Sequence, residues 1–191
     1  DLQNCRSFLI LYHFSFINFD KIIVMIDLPG LAIKDFYLNK KGSKLFVHDE
    51  FGPKVEMPIN VYFRDLDKMP LLESIAIDQC KGKVLEIGAG AGSHALELQM
   101  RGTDVVALEI SEASCDTMKL RGVKNVVCED VFKYNEGGFD TVLLLMNGIG
   151  LCGTIEGLKT FLNHAKNFLN KNGALIFDSS DIAYMYEDSH F

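Results

Sequence analysis

The chain of 191 residues is 48% hydrophobic, which is enough for one well-packed domain and too short for two ordinary ones. Its formal net charge is −7, and no run of Lys or Arg offers a surface for a phosphate backbone or an anionic membrane. Composition therefore argues against nucleic acid or membrane as partners. Five scattered cysteines, without a zinc-ligand spacing, indicate reduced thiols in a cytoplasmic protein and no metal site.

The first two dozen residues stand apart from the rest. The apolar stretch SFLILYHFSFINF at 7–19 is shorter than the ~20 residues that a membrane span requires. It also lacks the cationic start and the small-x-small cleavage site of a signal peptide, and an ordinary sequence begins at Met25. We expect residues 1–24 to be an upstream translated or non-native extension.

Residues 25–81 are expected to form a cover segment and a helix in front of the core. The stretch 44–63 is typical of a hairpin or an extended cover with a turn at Phe51-Gly52-Pro53. Asp65 is placed to cap a helix that runs to about Cys80. We treat this segment and the core at 82–191 as a single domain.

From residue 82 onward, apolar strand-like runs alternate with helical patterns. The runs are continuously apolar, as parallel strands covered on both faces must be; they lie at 83–88, 104–110, 124–130, 139–146 and 173–178. A helical face at 155–169 has Thr154 as its N-cap and Gly173 beyond its end. The alternation predicts an α/β fold, a doubly wound and mostly parallel sheet with helices on both faces.

The stretch VLEIGAGAG at 84–92 contains the end of the first strand of this sheet and a glycine-rich turn. Its three glycines at alternate positions are Gly88, Gly90 and Gly92. The dinucleotide fingerprint G-x-G-x-x-G requires a glycine or alanine where Ser93 stands. Glu86, two residues before the glycines, would repel a pyrophosphate and attract an ammonium or sulfonium group. The pattern therefore favours a cationic ligand over NAD.

Two further strand ends are acidic. Glu109 ends the second strand, where a carboxylate can accept the hydroxyl protons of a ribose. Asp130 and Val131 end the third strand, where a carboxylate can accept a hydrogen bond from an adenine amino group while the apolar neighbour packs on the ring. With Glu86, three strand ends offer carboxylates for an amine, a ribose and a base.

These motifs resemble class I S-adenosylmethionine-dependent methyltransferases. The resemblance rests on VLEIGAGAG, Glu109, Asp130 and FDTVLLLMNG at 139–148, and it covers about residues 60–181. It implies a Rossmann-like core that binds S-adenosyl-L-methionine. By this resemblance the loop Gly88–Gly92 wraps the methionine part, Glu109 holds the ribose, Asp130 and Val131 frame the adenine, and Asn147 and Gly148 line the wall beside the methyl group. Glu86, Ala89 and Ile110 are further expected cofactor contacts.

The resemblance implies an enzyme that transfers the methyl group by in-line displacement, for which a catalytic base is optional; no catalytic residue is identified. The loop NGIGLCG at 147–153 lacks the Pro-Pro-aromatic step of methyltransferases that modify DNA amino groups and some protein glutamines, and it lacks the Pro-Cys nucleophile for cytosine carbon methylation. We therefore expect a small-molecule acceptor, and a protein acceptor stays open as an alternative. The alternatives are a non-catalytic protein that binds the cofactor or serves in assembly, and an NAD-dependent oxidoreductase.

Several polar residues leave two interpretations open. Arg64 either reaches the cofactor carboxylate or is solvated, and His94 either touches the ligand or is an ordinary histidine of the first helical turn. After the fifth strand, polar side chains either face the substrate or cap the next helix; they are Asp178, Ser179, Ser180, Asp181 and Tyr184.

The family adds an antiparallel pair of strands after the fifth strand, and the chain reaches Phe191 before any such sequence. We therefore expect a C-terminally truncated protein whose sheet lacks that pair. An exposed fifth strand would favour aggregation or a homodimer.

Overall fold

The computed structural model describes residues 7–11, 27–40, 44–48 and 53–180. In chain order the helices and strands are β1 (Ser7–Leu11), α1 (Leu28–Tyr37), β2 (Lys44–His48), β3 (Val55–Met57), α2 (Leu71–Gln79), β4 (Val84–Ile87), α3 (Ser93–Met100), β5 (Val105–Glu109), α4 (Glu112–Arg121), β6 (Val126–Cys128), β7 (Phe139–Leu144), α5 (Ile155–Ala165) and β8 (Leu169–Phe177). Short 3₁₀ turns span Ile59–Phe63, Leu66–Lys68 and Gly148–Cys152.

The core is a parallel sheet of five strands in the order β6-β5-β4-β7-β8. Its strands alternate their side chains between two buried layers, as the two-residue period of a strand requires. Val84, Ala107 and Leu143 face the layer that contains α2, α3 and α4, whereas Leu85 and Leu108 face the layer that contains α5. The predicted doubly wound α/β fold is confirmed.

The chain order of the strands reverses between β4 and β7, which are neighbours in the sheet. In open parallel sheets the crevice at such a reversal, beyond the carboxyl ends of the strands, is where ligands bind. The glycine turn after β4 and the loop after β7 both lie at this edge.

Two predicted boundaries differ from the structure. The helix expected after Asp65 begins at Leu71, because Pro70 occupies its N-cap position and residues 66–68 form a separate 3₁₀ turn. The helix expected at 155–169 starts behind Thr154 as predicted, with the Gly157 N–H donating to Thr154 Oγ1 at 3.0 Å. It ends at Ala165, and Leu169 opens β8.

The segment before the core forms a small second sheet. Strands β2 and β3 pair antiparallel, which agrees with the hairpin alternative, and β1 pairs parallel with β2. The predicted turn at Phe51-Gly52-Pro53 lies largely outside the described residues, as do 12–26 and 181–191. None of the helices in the described ranges is long and apolar enough to cross a membrane.

Helix α1 docks this segment onto the core. Lys34 Nζ donates to Asp116 Oδ2 at 2.7 Å, and the Tyr37 hydroxyl donates to the carbonyl oxygen of Leu120 at 3.2 Å. Both partners belong to α4. The 3₁₀ turn Ile59–Phe63 continues the contact, because the Ser93 hydroxyl donates to the carbonyl oxygen of Tyr62 at 2.8 Å. The segment therefore lies directly over the glycine turn.

Candidate cofactor-binding site

The glycine turn places a backbone without side chains at the edge of the sheet. Gly88 has φ +71°, and a Cβ built there would meet nothing within 4 Å. Its conformation requires glycine while the space beside it stays open. Gly92 differs, because a Cβ there would lie 2.9 Å from Met118 and from Val123. Gly92 thus serves the close packing of the turn against the core.

Two cavities meet at Gly88. The first has a volume of about 200 Å³, and we call it the methionine cavity after the part of the cofactor that the sequence resemblance implies there. Its walls come from the turn and the start of α3, from the cover segment, and from the loop after β7; they are Met57, Tyr62, Glu86, Gly88, Ala89, Gly90, Ala91, Ser93, His94, Leu145, Met146 and Gly148.

The second has a volume of about 210 Å³, and we call it the adenosine cavity after the part of the cofactor that the sequence resemblance implies there. It lies beyond the ends of β5 and β6 and is lined by Ile87, Gly88, Leu108, Glu109, Ile110, Glu129, Asp130, Val131, Phe132 and Leu151. Ile110 is 65% exposed, which leaves an apolar surface on this wall available to a planar ring.

Glu109 is held in place by the backbone around it. Its Oε2 accepts from the Gly90 N–H at 2.9 Å, and its Oε1 accepts from the Ser111 N–H at 3.0 Å. Burial raises the pKa of Glu109 above its ordinary value, and these backbone donors oppose that rise. Each carboxylate oxygen has a second lone pair, so the group can also accept from hydroxyl groups.

Asp130 forms a tight local turn at the end of β6. Its Oδ1 accepts from the Phe132 N–H at 3.0 Å. The next carbonyl oxygen, of Val131, lies 3.0 Å from His164 Nε2, which ties the loop to α5. Asp130 and Val131 are thus fixed together on the wall of the adenosine cavity.

The loop after β7 is clamped by Asp178. The two carboxylate oxygens of Asp178 accept from the backbone N–H groups of Met146 at 3.0 Å and Asn147 at 2.7 Å. The Asn147 side chain accepts from the Ser180 hydroxyl at 3.0 Å. Asp178 thus holds this loop and is not among the residues that line the methionine cavity; the helix that it was alternatively expected to cap falls outside the described residues. Asp181 and Tyr184 lie outside the described residues, and Ser179 is exposed.

A row of four buried or half-buried charged groups lies behind the methionine cavity. His94 Nδ1 is 3.1 Å from Glu86 Oε1, and His94 Nε2 is 3.1 Å from Glu73 Oε2. Arg64 Nη2 donates to both oxygens of Glu73, at 2.6 and 2.9 Å. Arg64 is therefore neither solvated nor directed at a cofactor carboxylate. Since the carboxylates sit on opposite sides of the imidazole, they do not converge on one point, and the described residues contain no metal-binding group of His, Cys, Asp and Glu.

Both ring nitrogens of His94 face carboxylates, which favours the charged imidazolium. Burial would lower the pKa of His94, but hydrogen bonds to Glu73 and Glu86 outweigh burial and raise the pKa to about 9. Burial would likewise raise the pKa of Glu73, but His94 and Arg64 hold that pKa below its ordinary value. At neutral pH the row therefore holds a cationic His94 between two carboxyl groups.

Nine of the eleven cofactor contacts expected from the sequence line one of the two cavities. Glu86, Gly88, Ala89, Gly90 and Gly148 line the methionine cavity, and Gly88, Glu109, Ile110, Asp130 and Val131 line the adenosine cavity. Gly92 and Asn147 line neither.

Sequence reasoning missed much of the apolar wall, which includes Met57, Tyr62, Phe132, Leu145, Met146 and Leu151. Apolar residues carry no chemical signature, and Met57 and Tyr62 precede the glycine turn by more than two dozen positions in the chain, so no local pattern could have found them.

Comparisons with known proteins agree with this architecture. Residues 85–177 match the family model described as a methyltransferase domain. A crystal structure of an S-adenosylmethionine-dependent methyltransferase from Bacteroides fragilis, in complex with S-adenosyl-L-homocysteine, has a TM-score of 0.79 and 41% sequence identity, covering 85% of this chain and 68% of that chain.

Two curated relatives are also similar. Ribosomal RNA small subunit methyltransferase C of Haemophilus influenzae (strain PittGG) is 30% identical over 178 residues, which cover 86% of this chain and 49% of the relative. Type II methyltransferase M.NgoMIV of Neisseria gonorrhoeae is 43% identical over 67 residues, which cover 34% of this chain and 22% of the relative. The chain thus spans about half the length of the first relative and less of the second.

The resemblance seen in the sequence is confirmed by the family model and by the Bacteroides fragilis structure. The chain belongs to the class I S-adenosylmethionine-dependent methyltransferases, a family whose cofactor is S-adenosyl-L-methionine.

Proposed function

We propose that the protein transfers a methyl group from S-adenosyl-L-methionine to a small-molecule acceptor, with the cofactor lying across both cavities and bending at Gly88. The observation that carries this proposal is the meeting of two cavities of about 200 and 210 Å³ at one glycine, each with a carboxylate in its wall.

The residues fit the cofactor. Glu86 is buried, and its Oε2 has no hydrogen-bond partner among the described residues. A buried acceptor of this kind is costly unless a ligand satisfies it, and the α-ammonium group of the methionine part would do so. In the adenosine cavity, Glu109 would accept from the ribose hydroxyls, while Asp130 and the apolar side chains of Ile110 and Val131 would hold the adenine.

When bound, the cofactor supplies a methyl group on a sulfonium that is already activated for displacement. The chain then has to orient the two reactants and exclude water. Met57, Leu145 and Met146 give the methionine cavity an apolar wall, and Tyr62 covers the glycine turn. No residue is assigned as a catalytic base.

A small-molecule acceptor is supported by the charge and by the cover segment. The net charge of −7 opposes a phosphate backbone, and Met57 and Tyr62 close the methionine cavity on the side of the cover segment. The name of one curated relative points the other way for that protein, since it is a ribosomal RNA methyltransferase. The acceptor test must therefore include nucleic acid.

Transfer of labelled methyl groups tests the proposal. The protein would be incubated with labelled S-adenosylmethionine in parallel reactions that differ in the acceptor. The acceptors are a panel of small amines and hydroxy compounds, ribosomal RNA, and duplex DNA. We expect label in a small molecule and none in nucleic acid. Label in RNA or DNA would contradict the acceptor class. Binding of S-adenosylhomocysteine with no transfer to any acceptor would favour a non-catalytic role in cofactor binding or assembly.

A further inference from the structure

The row Arg64, Glu73, His94 and Glu86 links the cover segment to the methionine cavity. Arg64 follows the 3₁₀ turn Ile59–Phe63, Glu73 lies on α2, His94 on the first turn of α3 and Glu86 on β4. The side chains of Glu73, His94 and Glu86 are 6%, 8% and 3% exposed. A row this buried is costly unless each charge is paired. Glu73 and His94 each lie between two groups of opposite charge. Arg64 is paired with Glu73 through Nη2, while its Nε has no partner among the described residues.

Glu86 is the member whose charge is only half compensated. Its Oε1 meets His94, whereas its Oε2 has no partner among the described residues and belongs to a residue on the wall of the methionine cavity. A buried carboxylate takes up a proton unless a nearby cation stabilises its charge. A protonated Glu86 would be neutral and could not pair with an ammonium group.

We propose that His94 is a positioning residue for cofactor binding, which keeps the Glu86 carboxylate ionised and fixed with its second oxygen available to the α-ammonium group, while Glu73 and Arg64 hold the imidazole in its cationic form. This inference rests on the proposed placement of the methionine part in the methionine cavity.

The groups around the row support a stable imidazolium. Glu73 and Glu86 face the two ring nitrogens from opposite sides, and Arg64 faces Glu73. The thiol of Cys80 lies near Glu86; its burial, together with the charge of Glu86, raises the pKa of Cys80 to about 11, so it adds no charge at neutral pH. The described surroundings thus contain two anions that favour the protonated ring.

The test compares two ligands that differ at the amino-acid end. S-adenosylhomocysteine carries the α-ammonium group, and 5′-methylthioadenosine carries the adenosine and the thioether without it. Both ligands would be titrated into the full chain, into its His94→Asn variant and into its Glu97→Gln variant. Binding would be followed by NMR, which also measures weak binding. Asn can still donate to one carboxylate but has no charge. Glu97 lies on the same helix and pairs with Arg101 at 2.6 Å, so its variant controls for charge loss on α3.

We expect His94→Asn to weaken S-adenosylhomocysteine binding by about 10- to 100-fold, the range for a charge-assisted hydrogen bond, and to leave methylthioadenosine binding unchanged within about twofold. Glu97→Gln should bind both ligands as the unmodified chain does. An equal loss of both ligands in His94→Asn would show a merely structural role, and no loss of either would show no role; both results overturn the inference while the proposed function stands.

A second measurement does not depend on the His94→Asn variant. The nitrogen chemical shifts of His94 in the unmodified chain should be those of a doubly protonated ring at pH 7.5, and Glu73→Gln should move the ring toward its neutral form. A neutral ring in the unmodified chain overturns the inference. Failure of the unmodified chain to bind either ligand would instead overturn the proposed function, and this inference with it.

Discussion

The ionisation of single side chains at this site depends on their burial and on neighbouring charges. Glu86, with 2% of its surface exposed, has to remain ionised if it is to meet an ammonium group. His94 supplies the compensating charge and is itself compensated by Glu73. The sequence predicted the carboxylate at position 86. It did not predict the pairing of His94 with Glu73, because the two are 21 positions apart and meet only through the packing of α2 against α3.

The protonation of His94 predicts a pH-dependent stability. The pKa of His94 rises from 6.5 to about 9 on folding. Below about pH 6.5 the ring is protonated in both states and the stabilisation is complete. As the pH rises from about 6.5 to about 9, only the folded state keeps the proton, so the free energy of unfolding should fall by up to about 3 kcal/mol.

Urea unfolding at several pH values measures this loss. His94→Asn should show a flatter profile over the same range, since it has no proton to lose. A free energy of unfolding that stays constant or rises between these pH values in the unmodified chain, relative to the variant, would contradict the assignment.

Two glycines with nearly the same φ angle allow the cost of backbone strain to be measured separately from the cost of close packing. Gly92 has φ +79° and Gly102 has φ +81°, but an added Cβ would be 2.9 Å from Met118 and Val123 at position 92 and would meet nothing within 4 Å at position 102. Gly102→Ala should cost about 1 kcal/mol for the left-handed conformation, and Gly92→Ala a further 1 to 3 kcal/mol, on the order expected for overpacking.

Chemical denaturation of both variants checks this difference. Equal losses would mean that the turn tolerates a side chain at position 92. The close packing of Gly92 on α4 would then have no energetic consequence.

At the scale of elements, the apolar pattern predicted the strands better than the helix ends. Four of the five core strands lie within the predicted runs, whereas β8 begins at Leu169, four residues before its predicted run at 173–178. The prediction is best for β4, β5 and β7, because burial on both faces leaves an uninterrupted apolar stretch. The helix expected from Asp65 starts later because Pro70 fits only at a helix start. Gly173 lies within β8 instead of after a helix, at the irregularity where β8 changes register against β7. That irregularity depends on pairing between strands, which a linear pattern does not contain.

The start of α1 couples two elements through one side chain. Asp27 Oδ1 accepts from the Gly30 N–H at 2.9 Å, and Asp27 Oδ2 accepts from the hydroxyl of Ser111, the N-cap residue of α4. Asp27→Ala removes a helix cap and leaves Ser111 without this acceptor, so we expect a loss of about 2 kcal/mol of unfolding free energy.

Thr154→Ala is the matched control for Asp27→Ala. Thr154 caps α5 through the same kind of bond, to the Gly157 N–H at 3.0 Å. Its replacement by alanine should lower the free energy of unfolding by about 1 kcal/mol. Thermal unfolding of the two variants side by side measures the difference. A loss at Asp27 no larger than the loss at Thr154 would show that the contact with Ser111 does not stabilise the docking of α1.

At the scale of the whole molecule, the site is assembled from segments that are distant in the chain. The core supplies the glycine turn and the acidic strand ends, all of which sequence reasoning identified. The cover segment supplies Met57, Tyr62 and Arg64, whose positions depend on how α1 and the 3₁₀ turn Ile59–Phe63 dock on the core. The chemistry of the cofactor was therefore predictable, whereas the shape of the methionine cavity was not.

We propose that both cavities together form one site for S-adenosylmethionine. Calorimetric titration of S-adenosylhomocysteine into the full chain, with NAD as the comparison ligand, tests it most directly. We predict one binding site with micromolar affinity for S-adenosylhomocysteine and no binding of NAD, since Glu86 repels a pyrophosphate. Binding of NAD, or no binding of S-adenosylhomocysteine, would contradict the account.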